Sequence, residues 1–127
     1  MTRLFELPAT LAEVCNVLRT LPGVERARRA QGPRPVLDAI RRQARHAPRR
    51  GVVARRCLRR AIRWVDVCMI GGGNCYRRAL LEIALDRGAA QAPLALGFAR
   101  QDDRLTGHAW IAGHDAGAGR YDFTLHL

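Results

Sequence analysis

The chain has 127 residues, of which 48% are hydrophobic, and a formal net charge of +11. This length fits one domain with one core. No apolar run approaches the roughly 20 residues that a membrane-spanning helix needs. The first residues lack the apolar stretch of a signal peptide, so we expect a cytoplasmic protein.

The positive charge is concentrated in the first half of the chain. Residues 1–63 contain sixteen arginines and four acidic residues, whereas residues 64–127 contain six arginines and seven acidic residues. Such a basic half is typical of nucleic-acid-binding proteins. Its single aromatic residue, Phe5, offers no stacking platform for bases. A solvated basic face is the simplest explanation. Nucleic-acid binding and docking of an acidic partner or peptide are the alternatives.

Apolar residues at helical spacing predict three helices in this half. Thr10 is a candidate N-cap for the first, which is expected to stop at Pro22. An arginine-rich connection leads to the second helix, with Pro35 in its first turn. The third helix is expected over about 52–69, with arginines on one side and an apolar stripe on the other. The stripe consists of Val53, Cys57, Leu58, Ala61, Ile62, Val65 and Met69.

The second half predicts one more helix and then strands. Glycines end the third helix, and a fourth is expected from about Cys75 to Asp86. Three strand-like runs follow, at 93–99, 107–113 and 120–126. The last two are expected to pair as an antiparallel hairpin. Helices followed by a small antiparallel sheet indicate the α+β class.

Cys75 is the candidate nucleophile because it opens a helix directly after a glycine-rich loop. Free backbone N–H groups and the helix dipole favour a thiolate at such a position. A thiolate attacks carbonyl carbon. The Cys75 N–H and the neighbouring Asn74 side chain are candidate oxyanion donors. Cys15, Cys57 and Cys68 lie inside helical patterns and are expected to be packing residues.

A cysteine hydrolase also needs a base beside the thiol and a group that orients the base. His108, on the second strand-like run, is the candidate base. If the last two strands form a hairpin, Asp122 becomes a diagonal neighbour of His108 on the same face. Asp115 is the alternative orienting acid. It falls in the intervening turn, where Asp commonly binds local backbone, so Asp122 is favoured.

Two further histidines, His114 and His126, raise the alternative of a zinc site together with Cys75 and His108. Their spacing is not that of a zinc motif. We therefore expect neither a metal nor another cofactor.

Three segments together resemble a known family: 73–88, 95–98 and 107–111. The chain is similar to the transglutaminase-like leader peptidases of lasso-peptide biosynthesis, within the transglutaminase-like and papain-like cysteine proteases. In that family a Cys opens a helix that ends in a basic residue and Gly. A strand ending in Gly and an apolar residue follows, and then a His-Ala-Trp strand. The resemblance implies a transglutaminase-like core over 55–127, preceded by a basic helical part over 1–54 of the same domain.

The resemblance also implies a function and partners. Family members are cysteine proteases that remove the leader from a ribosomally synthesised precursor peptide. They work with a small leader-binding protein and with a cyclase that closes the macrolactam. Cys75 would be the nucleophile, His108 the base, and Asp122 or Asp115 the orienting acid. The alternative is another transglutaminase-like amidase or acyltransferase, which would use the same thiolate–imidazole chemistry.

Overall fold

The structure, a computed structural model, describes residues 2–69, 73–113 and 121–127. In this part of the chain, helices precede a three-stranded antiparallel sheet, so the predicted α+β class is confirmed. The helices are α1 (Thr2–Ala30), α2 (Pro33–Gln43), α3 (Val52–Cys68), α4 (Cys75–Leu85) and α5 (Arg87–Ala90), with a 3-10 turn at Ala44–His46. The strands are β1 (Leu94–Gln101), β2 (Arg104–Ile111) and β3 (Phe123–His126). None of the described helices is long and apolar enough to cross a membrane.

Helix α1 is longer than predicted and continues through Pro22, the expected stop. Thr10, the predicted N-cap, lies inside the helix, and its hydroxyl donates to the carbonyl of Glu6 at 2.7 Å. Proline removes one backbone hydrogen bond from the helix. Leu21 and Val24, on either side of it, are both buried in the core. Tertiary packing of this face carries the helix across the proline.

Helices α2 and α3 follow the predicted amphipathic patterns. The predicted face of α2 is buried, and α3 begins at the predicted residue and ends one residue early. Val53, assigned to the apolar stripe of α3, is instead 57% exposed. The buried face of α3 contains an unpredicted carboxylate, Asp66, which is 1% exposed. A buried charge is costly unless it is paired, so this position calls for a cationic partner.

Helix α4 lies at the centre of the core. It contacts α1, α2, α3 and β2. Leu80, Leu81 and Ile83 are fully buried, and burying side chains of this size contributes on the order of 2 kcal/mol each. This packing fixes the position of α4, and therefore of its first residue, against the sheet.

Strand β1 is the middle strand of the sheet, whose order is β2-β1-β3. It turns into β2 through Asp102 and Asp103, whose φ angles of 45° and 63° suit a tight hairpin. The predicted hairpin between β2 and β3 is wrong, because β3 pairs with the other side of β1. The outer edge of β2 faces α4, where the Ala109 N–H donates to the sulfur of Cys75. That edge is therefore not open to β3.

Several arginines of the basic half link elements to one another. Arg56 pairs with Glu6, Arg50 with Glu13, and Arg55 with Asp86. A further arginine of α2, Arg41, donates to the carbonyls of Ala92 and Leu127 at 3.0 and 3.1 Å. Several arginine side chains that were expected on a solvated face therefore pair with groups in other parts of the fold.

Candidate active site

The structure places Cys75 at the first residue of α4, as predicted. Asn74 caps this helix, because its side-chain carbonyl accepts the backbone N–H of Arg77 at 3.0 Å. The half-buried thiol lies beside the outer edge of β2, where the N–H of Ala109 donates to Sγ at 3.3 Å. The sulfur therefore stands at a junction between a helix start and a strand edge.

A cleft of about 390 Å³ opens beside this sulfur. Residues of α3, α4 and β2 line it, and both Cys75 and His108 are among them. The structure thus brings the two principal predicted site residues to one concave surface. A concave site with a nucleophile and a titratable base is the usual setting of acyl-transfer chemistry.

The ring of His108 belongs to a group of stacked aromatic side chains. Its centroid lies 5.7 Å from that of Trp110 and 6.2 Å from that of Tyr121. In the described residues, no hydrogen bond joins the His108 ring to the Cys75 sulfur or to a carboxylate. Catalytic hydrogen bonds often form fully only when substrate binds.

Gly97, the cross-strand partner of His108, makes the aromatic stack possible. A Cβ atom at this position would lie 2.6 Å from the Tyr121 ring and 2.8 Å from the Trp110 ring. Only glycine leaves room for Tyr121 against the strand. A glycine inside a strand pattern was the available sequence signal for this close approach, and Tyr121 was not predicted as part of the site.

Of the two candidate orienting acids, the structure describes only Asp122, and it does not lie beside His108. Asp122 is exposed, and its carboxylate accepts the backbone N–H of Arg100 at 2.9 Å. Because β1 lies between them, the backbones of β2 and β3 are about 10 Å apart. The predicted diagonal pairing is wrong because it assumed the β2–β3 hairpin. Asp115 lies outside the described residues, so the orienting acid stays a prediction.

The other predicted polar groups are placed as follows. Asn74 is held at both ends, since its backbone N–H donates to Oδ2 of Asp66 at 3.0 Å and its side chain caps α4. Its predicted oxyanion role stays a prediction. His126 lies on β3, and His114 lies outside the described residues. Across the described ranges, no three His, Cys, Asp or Glu side chains are grouped as metal ligands.

A buried ionic group holds the start of α4 in place. Nε of Arg77 donates to Glu25 of α1 at 2.7 Å, and Nη1 donates to Asp66 of α3 at 2.9 Å. We call Glu25, Asp66 and Arg77 the Arg77 cluster. It joins three helices one turn from Cys75. The burial of Asp66 could have been predicted from the sequence. Asp66 follows Ile62 by four residues and therefore lies on the apolar face of α3.

Hydrogen bonds from Arg28, opposed by burial and assisted by Arg77, lower the pKa of Glu25 from 4.5 to about 2. Since the folded pKa is the lower one, ionised Glu25 stabilises the fold fully above pH 4.5. This contribution, about 3 kcal/mol, is lost as the pH falls toward 2.

We therefore expect the difference in unfolding free energy between the wild type and Glu25→Gln to shrink on acidification. Between pH 6 and pH 3 the decrease should be about 2 kcal/mol. Urea unfolding at both pH values measures it. Titration of Asp86, whose pKa is also lowered despite burial, cancels in the difference. A difference independent of pH would contradict the role given to ionised Glu25.

Comparison with protein-family models, with curated protein sequences and with solved structures gave no match for this chain.

Proposed function

We propose that the chain is a cysteine peptidase with a transglutaminase-like core that removes the leader from a ribosomally made precursor peptide. The observation that carries the proposal is the position of the Cys75 sulfur. It lies at the start of α4, on the outer edge of β2, in one cleft with His108. The order of Cys helix, strand and His-Ala-Trp strand in the sequence supports the same assignment.

The reaction begins when the Cys75 thiol gives its proton to His108 and the resulting thiolate attacks the scissile carbonyl. The backbone N–H groups at the start of α4 are suited to hold the oxyanion that develops. The amine product leaves with the proton from His108, and an acyl-enzyme thioester remains. Water, deprotonated by His108, then releases the carboxylic acid and regenerates the thiol.

The proposal includes partners that the resemblance implies. A small leader-binding protein would present the precursor, and a macrolactam-forming cyclase would act on the product. Exposed arginines of the first half that pair with none of the described carboxylates, such as Arg34 and Arg42, offer a positive surface for an acidic partner. Another transglutaminase-like amidase or acyltransferase activity is the alternative, since it would use the same sulfur and imidazole.

Cleavage of the precursor tests the proposal. The purified chain is incubated with the precursor peptide and the leader-binding protein, and the products are identified by mass spectrometry. We expect a single cut between leader and core. Iodoacetamide should abolish the cut because it alkylates the nucleophile. EDTA should leave the rate unchanged because no metal takes part in the proposed reaction.

Two outcomes would contradict this proposal. One is an intact precursor in the presence of the active partner protein. The other is a cut that survives complete alkylation of Cys75, confirmed by peptide mapping. Transfer of the acyl group to an added amine in place of water would favour the acyltransferase alternative.

A further inference from the structure

The cleft beside Cys75 is lined by three guanidinium groups, those of Arg59, Arg63 and Arg78. Two of them lie next to carboxylates. Nε of Arg59 donates to Glu82 at 2.9 Å, so this pair adds little net charge. Nε of Arg78 lies 3.4 Å from Asp66, a carboxylate that Arg77 already pairs. Positive charge therefore exceeds negative charge along the cleft wall.

Arg63 contributes to this excess. It follows Arg59 by four residues on α3, so the two side chains share one face of the helix. It is exposed, and none of the described carboxylates pairs with it. Its guanidinium is thus available to an anion that enters the cleft.

Arg78 lies close to the reacting sulfur. It follows Cys75 by three residues on α4, a spacing that places the two Cβ atoms about 5–6 Å apart. Its side chain is 38% exposed, and it approaches Asp66 through Nε at 3.4 Å, which is too long for a strong hydrogen bond. A guanidinium has five donors, so the remaining N–H groups are available for a second carboxylate.

We propose that Arg63 and Arg78 form an anion subsite that selects peptides with an Asp or Glu side chain next to the scissile bond. Guanidinium groups bind carboxylates through paired, charge-assisted hydrogen bonds. A carboxylate held between α3 and α4 would place a neighbouring backbone carbonyl at the Cys75 sulfur. This inference rests on the proposed function, because it names the substrate class of that site.

The subsite is tested without proteolysis by alkylating Cys75. Iodoacetate and iodoacetamide both form a thioether and release iodide, but only iodoacetate carries a negative charge. The ratio of their rate constants at Cys75, followed by peptide mapping, reports the local field. The reactivity of the thiol itself cancels in this ratio. The neutral thiol 2-mercaptoethanol provides the reference ratio.

We expect the iodoacetate-to-iodoacetamide ratio at Cys75 to exceed the reference. It should fall about threefold in Arg63→Gln and again in Arg78→Gln, as for a unit charge about 7 Å away in a water-like dielectric. Arg34→Gln removes the same charge from an exposed position on α2 and should leave the ratio unchanged. A ratio equal to the reference, or unaffected by both cleft variants, would overturn the subsite.

Peptide cleavage supplies the second measurement. In synthetic peptides that differ only in the residue next to the scissile bond, Asp or Glu should give a KM at least about threefold lower than Asn or Gln, with little change in kcat, because the carboxylate adds binding that is equal in the ground and transition states. Arg63→Gln should remove this preference. Equal KM values for the acid and amide peptides would overturn the substrate assignment. If no peptide is cleaved, the proposed function fails, and the alkylation ratio still decides whether the anion subsite exists.

Discussion

Replacing Cys75 by alanine is expected to abolish peptide cleavage, with a fall of at least about 10³-fold in kcat, as for loss of a nucleophile in other acyl-transfer enzymes. In the proposed reaction the sulfur forms the acyl-enzyme bond, and alanine offers no substitute. The first turn of α4 should remain folded, since its cap is Asn74 and its anchor is Arg77. Cleavage by purified Cys75→Ala, with circular dichroism to verify folding, measures the effect.

The other cysteines provide matched controls. Cys15 and Cys68 are exposed, so alanine at either position should leave both cleavage and stability close to wild type. Cys57 is buried, and Cys57→Ala should lower stability without removing the reaction. A Cys75→Ala protein that cleaves at the wild-type rate would disprove the cysteine-peptidase proposal. Full loss of cleavage in Cys15→Ala or Cys68→Ala would indicate that the substituted cysteine, and not Cys75, is the nucleophile.

Arg77→Met is expected to destabilise the fold by about 3–5 kcal/mol. Methionine keeps much of the side-chain volume but leaves two buried carboxylates, Glu25 and Asp66, without the cation between them. Urea unfolding monitored by circular dichroism gives the free energy. Loss of this size is a large part of the stability of a small domain.

The matched control for this variant is Arg29→Met. Arg29 also pairs with Glu25, but its side chain is 74% exposed, and a pair in that setting contributes about 0–1 kcal/mol. If the two variants are equally stable, the Arg77 cluster does not hold the helices together. If Arg77→Met stays folded and cleaves at the wild-type rate, the Arg77 cluster does not position Cys75 for the reaction.

Much of the helical part of this fold was predictable from local pattern. The amphipathic rows of α2, α3 and α4 each bury one face, and the glycine-preceded Cys75 begins a helix as expected. The predicted first helix ended too early because proline locally disfavours the interior of a helix. The packing of Leu21 and Val24 outweighs that preference, and such packing is not visible in a local window.

The sheet was predictable in class and not in strand order. The structure joins β1 to β2 through the tight turn at Asp102 and Asp103, whereas the sequence predicted a hairpin between the last two strands. Strand β3 can join only an edge of the sheet that no other element covers. Helix α4 covers the outer edge of β2, where Ala109 contacts the Cys75 sulfur, so β3 pairs with β1. The sequence assigned Cys75 and His108 to one site, and the structure places both on one cleft. The position of Asp122 was predicted wrongly, and the packing of Tyr121 against Gly97 was not predicted.

The strand order also has a consequence for the order in which the molecule assembles. The β1–β2 hairpin closes a short loop, whereas pairing β3 with β1 closes a much longer one at a greater cost in chain entropy. Contacts between distant residues form slowly for this reason. The backbone bonds between Leu94 and Leu127, at 2.8 and 2.9 Å, and the seating of Tyr121 beside His108 belong to this slower step. We therefore expect the surroundings of His108 to be completed after α4 and the β1–β2 hairpin have formed.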